Sequence, residues 1–188
     1  WREEWGLGTL PFYFVEIAPY EYGDNILGAL LREAQFKAQE LIPSSGMIST
    51  NDLVEPFEAR NIHPRNKTTV GKRLCYLALT RTYGVKGIVD QGPIYQSMEI
   101  KDGKAIISFS NAPEGFSRMN GIEGFEVAGA DKVFYPAVAV VDWNKHIIVS
   151  SDQVPQPVAV RYAFKNFQPG NLHNHREQPV FPFRTDNW

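Results

Sequence analysis

Apolar positions along this chain change their spacing once, near residue 86. Before that point they follow the periods of a strand, a helix, a short strand and a second helix. "PFYFVEIAP", from Pro11 to Pro19, is a nearly continuous apolar run, the pattern of a strand buried on both faces of a parallel sheet. Glu16 is the single charge inside it. In "GDNILGALLREAQFKAQELIP", Ile26, Leu27, Leu30, Leu31, Ala34, Ala38 and Leu41 recur at helical spacing. Asp24 or Asn25 can cap that helix, and Pro43 stops it. Glu33 and Lys37 form an i,i+4 pair off the stripe, on a solvated face. "GMIST" reads as a short strand and "NDLVEPFEARNIH" as a polar loop. A second helix is expected from Pro64, with Val70, Leu74, Leu77, Ala78 and Arg81 on one face and Gly84 ending it.

After Lys86 the period shortens to that of strands. "YQSMEIKDGKAIISF" is a hairpin around Asp102-Gly103. "GFEVAG" is a strand, "AVAVVDWNKHIIVSS" a hairpin turning near Trp143-Asn144, and "PVAVRYAF" another strand. Such closely spaced short strands predict a β-sandwich. The tail "NLHNHREQPVFPFRTDNW" is rich in proline and polar residues. It is expected to be irregular and stapled to the body by Phe181, Phe183 and Trp188. The organisation that follows is an α/β part over 1–86 and a β-sandwich with an irregular tail over 87–188, meeting near "GVKGIVDQGP".

Composition changes this picture little. The chain has 188 residues, 43 % of them apolar, and a formal net charge of −2. That balance lacks the basic footprint of a nucleic-acid binder, and no run approaches the ~20 apolar residues of a membrane span. One cysteine, Cys75, excludes an internal disulfide and reads as an inert core thiol. The opening "WREEWGLGTLPF" resembles neither a signal peptide nor a methionine start and reads as the interior of a longer chain.

The chemistry centres on His63. With Pro64 at the first helical position, His63 stands at or beside the N-cap, where the positive helix end disfavours imidazolium and leaves the neutral ring a general base needs. The loop leaving the carboxyl end of a strand is also where open α/β sheets place their sites. A plain capping role is the alternative. No Gly-x-Ser-x-Gly or Gly-Asp-Ser block accompanies it, and Ser44, Ser45, Ser150 and Ser151 lack a nucleophile's context. Asp52, after the short strand, is either a candidate orienting acid or an ordinary loop aspartate. His146 reads as structural, and His173 and His175 lack the companions of a metal site. No phosphate-binding glycine loop is present.

Taken in order, "FYFVEIAPY", "LLREAQ", "IHPRNKTTVGKRL", "GPIY", "VAVRYAF" and "PFRTDNW" resemble the sialate O-acetylesterase family, within the SGNH-hydrolase class of carbohydrate acetylesterases. The resemblance implies the C-terminal part of a flavodoxin-like α/β/α three-layer catalytic domain followed by a β-sandwich domain. It implies a serine esterase that removes acetyl groups from sugar hydroxyls without a metal or other cofactor, with His63 as the base. The nucleophile and oxyanion hole would lie in an N-terminal segment outside these residues, leaving this piece inactive alone. Many SGNH enzymes carry aspartate where this chain has Arg60, and family members often have it at Asn61. Asp52 matches an aspartate often seen at the start of this loop, so it is carried as the orienting acid, beside a Ser–His dyad oriented by a backbone carbonyl. His173 stands where tyrosine is common.

The expected ligand is an O-acetylated sialic acid or an acetylated polysaccharide such as xylan, with an extracytoplasmic location implied by the family alone. A non-catalytic sugar-binding or interaction module is the other reading, with Trp143 stacking on sugar rings or simply packed at its turn. A sheet lacking partner strands would also leave residues 1 to 84 seeking a further polypeptide segment or a second copy.

Overall fold

The computed structural model describes residues 1–23 and 25–188. Asp24, one of the two expected caps, lies outside the described residues. After a short helix α1 (Arg2–Trp5), strand β1 (Phe12–Val15) leads through helix α2 (Leu27–Leu41) to strand β2 (Ser45–Ile48). The two strands pair in parallel, Phe12 opposite Ser45 and Val15 opposite Ile48, so the unit is β–α–β. Helix α3 (Lys67–Leu77) follows and runs into a π-helical segment, Ala78–Thr82. Gly84, at φ 68, ends it as expected.

Three details depart from the sequence reading. β2 is buried throughout, but β1 is only half-buried and leaves Phe12 43 % exposed. The packed face of α2 is not the leucine stripe: Gly28, Ala29 and Arg32 are buried, whereas Leu27, Leu31 and Leu41 face solvent. The cause is polar. Asn166 Oδ1 accepts the Gly28 N–H at 2.8 Å, and Arg32 donates to the carbonyls of Lys165 and Asn166. These bonds turn the small-residue side of the helix inward. Asn25 does act at this helix start, its Oδ1 accepting the Leu27 N–H at 3.0 Å. Finally, Cys75 on α3 is exposed rather than in a core.

The remaining strands are β3 (Ile94–Lys101), β4 (Lys104–Ser110), β5 (Phe125–Ala128), β6 (Phe134–Pro136), β7 (Val138–Val141), β8 (Ile147–Ser150), β9 (Ala159–Tyr162) and β10 (Phe183–Arg184). They form two antiparallel four-stranded sheets, β3-β4-β8-β7 and β10-β9-β5-β6. Asp102 and Gly103, both at positive φ, make the two-residue turn expected between β3 and β4. The sheets share one core, with Ile107, Ile147 and Val149 from one and Phe125, Val127, Val160 and Tyr162 from the other. The tail is more ordered than its composition suggested. It supplies β10, and Phe181 and Phe183 are buried, while Trp188 stays 39 % exposed. Tyr95 stacks on Phe183 at 4.8 Å, and Phe36 of α2 meets Phe181 at 4.9 Å. Trp143 is not packed at its turn: it is 96 % exposed.

Candidate active site

Parallel β1 and β2 release their loops at the same end of the sheet, and those loops carry Glu16, Asp52 and His63. Glu16, just past β1, is buried. Its Oε2 accepts the Ser49 hydroxyl at 2.6 Å and the Thr50 N–H at 3.0 Å. Burial raises its carboxyl above the usual glutamate value, against the opposing pull of Arg32 and of these two donors.

Asp52 heads the loop after β2. Its oxygens accept Nη1 and Nη2 of Arg73 at 2.7 and 2.6 Å, a two-pronged pair in which both side chains are buried. His173 Nε2 stands 2.9 Å from Asp52 Oδ2. Burial alone would raise this carboxyl. The Arg73 and His173 hydrogen bonds outweigh it and hold Asp52 below the usual aspartate value. Arg73 also donates to the Ser49 carbonyl at 2.9 Å. Asp52 therefore joins β2, α3 and the C-terminal tail. The expectation that it orients His63 does not match this geometry, because its hydrogen bonds among the described residues go to Arg73 and His173.

His63 is exposed in the same loop, and its backbone N–H donates to Asn61 Oδ1 at 3.0 Å. It is not at the N-cap. The helix begins at Lys67, and Asn66 caps it by accepting the Thr69 N–H at 3.1 Å. Arg65 N–H is drawn instead to Glu58 Oε1 at 3.0 Å, which holds the chain out of the helix for two residues beyond Pro64. The positive helix end is thus aimed at Asn66 and not at His63. What remains is the position of His63 on the loop at the carboxyl end of a parallel strand.

The loops after β1 and β2 are tied together: Glu21 N–H donates to the Ala59 carbonyl at 2.8 Å, and Arg60 Nε reaches Glu21 Oε2 at 2.9 Å. Beside this tie lies an open cleft of about 400 Å³, lined by Glu21, Asn25, Ile26, Ala59, Lys165 and Phe167 among others. The His63 loop contributes Ala59 to it. The serines singled out in the sequence stand elsewhere. Ser45 Oγ donates to the Gln39 carbonyl, its residue being the first of β2, and Ser151 Oγ donates to the Pro136 carbonyl in the sandwich. His146 pairs with Asp142 within its hairpin, Nδ1 to Oδ2 at 3.2 Å.

Arg73, Glu58 and Arg32 were not singled out as site residues. The available signal was a charge on or beside an apolar stripe, as with Arg73 between Val70 and Leu74.

Among solved structures the chain is similar to a carbohydrate acetylesterase from Xanthomonas citri. The two are 38 % identical with a TM-score of 0.86, over 100 % of this chain and 44 % of that one. The chain thus spans less than half the length of that enzyme. No protein-family model matches the sequence, and no curated protein matches it.

Proposed function

We propose that this chain is part of a carbohydrate O-acetylesterase of the sialate O-acetylesterase type, to which it contributes the general base His63. The observation that carries the reading is the likeness, over all of this chain and 44 % of the other, to a carbohydrate acetylesterase at 38 % identity. The sheet end supports it, because β1 and β2 direct the His63 loop and the adjoining cleft to one side. In this mechanism a serine on polypeptide outside these residues attacks the acetyl carbonyl. His63 takes the serine proton and returns it to the departing sugar oxygen, and water then releases acetate from the acyl-enzyme. Backbone amides and an asparagine outside these residues stabilise the oxyanion.

The flavodoxin-like SGNH sheet is completed by that same outside polypeptide. Half-exposed β1 and the solvent-facing Leu27, Leu31 and Leu41 of α2 are surfaces for it to cover. The substrate is an O-acetylated sialic acid or an acetylated polysaccharide, and the enzyme acts outside the cytoplasm. Among the described residues, no helix is long and apolar enough to cross a membrane. The test is acetate release from O-acetylated sialic acid and from acetylated xylan by the full-length protein and its His63→Ala form. Loss of turnover by several powers of ten is expected, on the scale of triad deletions. A near-normal rate would remove His63 from the mechanism.

A second reading, a sugar-binding module without catalysis, is favoured by one observation. Trp143 projects from a hairpin tip that Asp142 braces by accepting the Asn144 and His146 N–H groups at 2.9 and 2.7 Å. A solvated indole on a braced turn suits stacking on a sugar ring. Retention of this chain on xylan, lost in Trp143→Ala, would support that reading.

A further inference from the structure

Between residues 55 and 63 every side chain is exposed or half-buried except one, and that one is charged: Glu58 is 2 % exposed. A buried carboxylate is costly unless hydrogen bonds replace its water. Here they come from the two ends of the loop. Oε2 accepts the Glu55 N–H at 3.0 Å, and Oε1 accepts the Arg65 N–H at 3.0 Å. The backbone of the same residue is also engaged. Glu58 N–H donates to the Glu55 carbonyl at 2.8 Å, and its own carbonyl accepts the Asn61 N–H at 2.7 Å. Asn61 in turn holds His63 N–H. On the outside, the Arg65 guanidinium lies over the Phe57 ring at 5.1 Å, bridging the same span.

From this we infer that Glu58 is the positioning residue of the His63 loop: its carboxylate closes residues 55–65 into one rigid turn and so sets where the imidazole stands. The inference rests on His63 being the base. A carboxylate is required because both partners are donors. Glutamine has the same shape but only one acceptor atom, so one N–H would face an amide N–H₂. Aspartate is shorter by a methylene and cannot span both. Holding a base to within a fraction of an ångström is worth much of its rate, and a misplacement of about 1 Å costs on the order of 10²-fold.

The test has two parts. In this chain, amide exchange is followed by NMR in wild type, Glu58→Gln and Asn61→Ala. Glu58→Gln is expected to speed exchange at Glu55 and Arg65 by about tenfold or more, with the sandwich core strands unchanged. Unchanged exchange at Arg65 would overturn the inference. In the full-length protein, acetyl hydrolysis by Glu58→Gln is expected to show kcat down on the order of 10²-fold with KM within about twofold of wild type. Asn61→Ala, which cuts only the bond to His63 N–H, is expected to move kcat in the same direction while leaving Arg65 protected. Full turnover in Glu58→Gln, with His63→Ala inactive, would overturn this inference alone. Full turnover in His63→Ala would overturn the base reading instead, with the exchange data still reporting whether Glu58 closes the loop.

Discussion

Glu33 and Arg184, 151 positions apart in the chain, meet in a two-pronged ion pair, Nε to Oε1 at 3.2 Å and Nη2 to Oε2 at 3.0 Å. Both lie in motifs that carried the family resemblance, "LLREAQ" and "PFRTDNW". Arg32 of the first motif reaches Lys165 and Asn166, just past "VAVRYAF". These contacts tie the motif on α2 to the sandwich and its tail. They are the seam that docks α2 on the sandwich.

Cutting that seam should cost stability more than a surface pair does. The Glu33 and Arg184 side chains are 21 % and 16 % exposed, and Arg184 also lies over the Phe164 ring at 5.3 Å. Arg184→Ala is expected to lose about 1–2 kcal/mol, between the exposed and buried limits for ion pairs. Urea unfolding of both proteins measures this, and a loss under about 0.5 kcal/mol would mean the pair is solvated in effect.

The Asp52–Arg73 pair is deeper, and breaking it strands a buried charge. Arg73→Ala is expected to cost about 3–5 kcal/mol. Asp52 titrates below its ordinary value in the fold. Its contribution is therefore complete above the ordinary aspartate pKa and is lost as pH falls through the depressed one. Glu16 runs oppositely. Its carboxyl is raised, so its favourable contribution exists below the ordinary glutamate pKa and fades as pH rises through the raised one. Thermal melts against pH should show Asp52→Asn approaching wild type on acidification, and Glu16→Gln gaining on wild type as pH rises.

Gly92 belongs to the "GPIY" motif, and its reason is steric. A Cβ there would stand 1.8 Å from the Pro179 carbonyl oxygen, which is backbone and cannot step aside. Gly92→Ala is expected to cost about 3 kcal/mol or more, or to prevent the tail from docking. Proteolysis of the tail at fixed temperature would reveal the second outcome, and a variant as stable and resistant as wild type would contradict the contact.

Cys75 offers a direct check of the α3 orientation. An exposed thiol should react stoichiometrically with a maleimide in the folded protein, without denaturant. Protection until unfolding would place it in a core.

What was legible in the sequence was local. The βαβ order, the Asp102-Gly103 hairpin and the strands "GFEVAG" and "PVAVRYAF" are periodicities and turn residues read within a few positions. The face of α2 was not legible, because its leucines suggested one side and Asn166, over 130 positions on, selects the other. Strand β10 was hidden for a similar reason: two residues in a proline-rich tail carry no period, and β9 alone makes them a strand. At the site, the loop bearing His63 was placed correctly after a strand. The helix start was misplaced, since Pro64 is a strong helix-start signal and the competing pull of Glu58 on Arg65 is invisible without coordinates. The partners of Asp52 are not legible in the sequence, because Arg73 and His173 are brought to it by α3 and the tail.

The seam also sets an order of events during synthesis. Residues 28, 32 and 33 of α2 are satisfied by residues 165, 166 and 184, and Asp52 by residue 173. A nascent chain released through residue 86 has made both parallel strands but none of these partners. The β–α–β unit then keeps the Arg32 guanidinium in water until residues 165 and 166 have emerged, whereas Asp52 already has Arg73 beside it. The loop that carries His63 can close before them, because Glu58 finds its partners at residues 55 and 65.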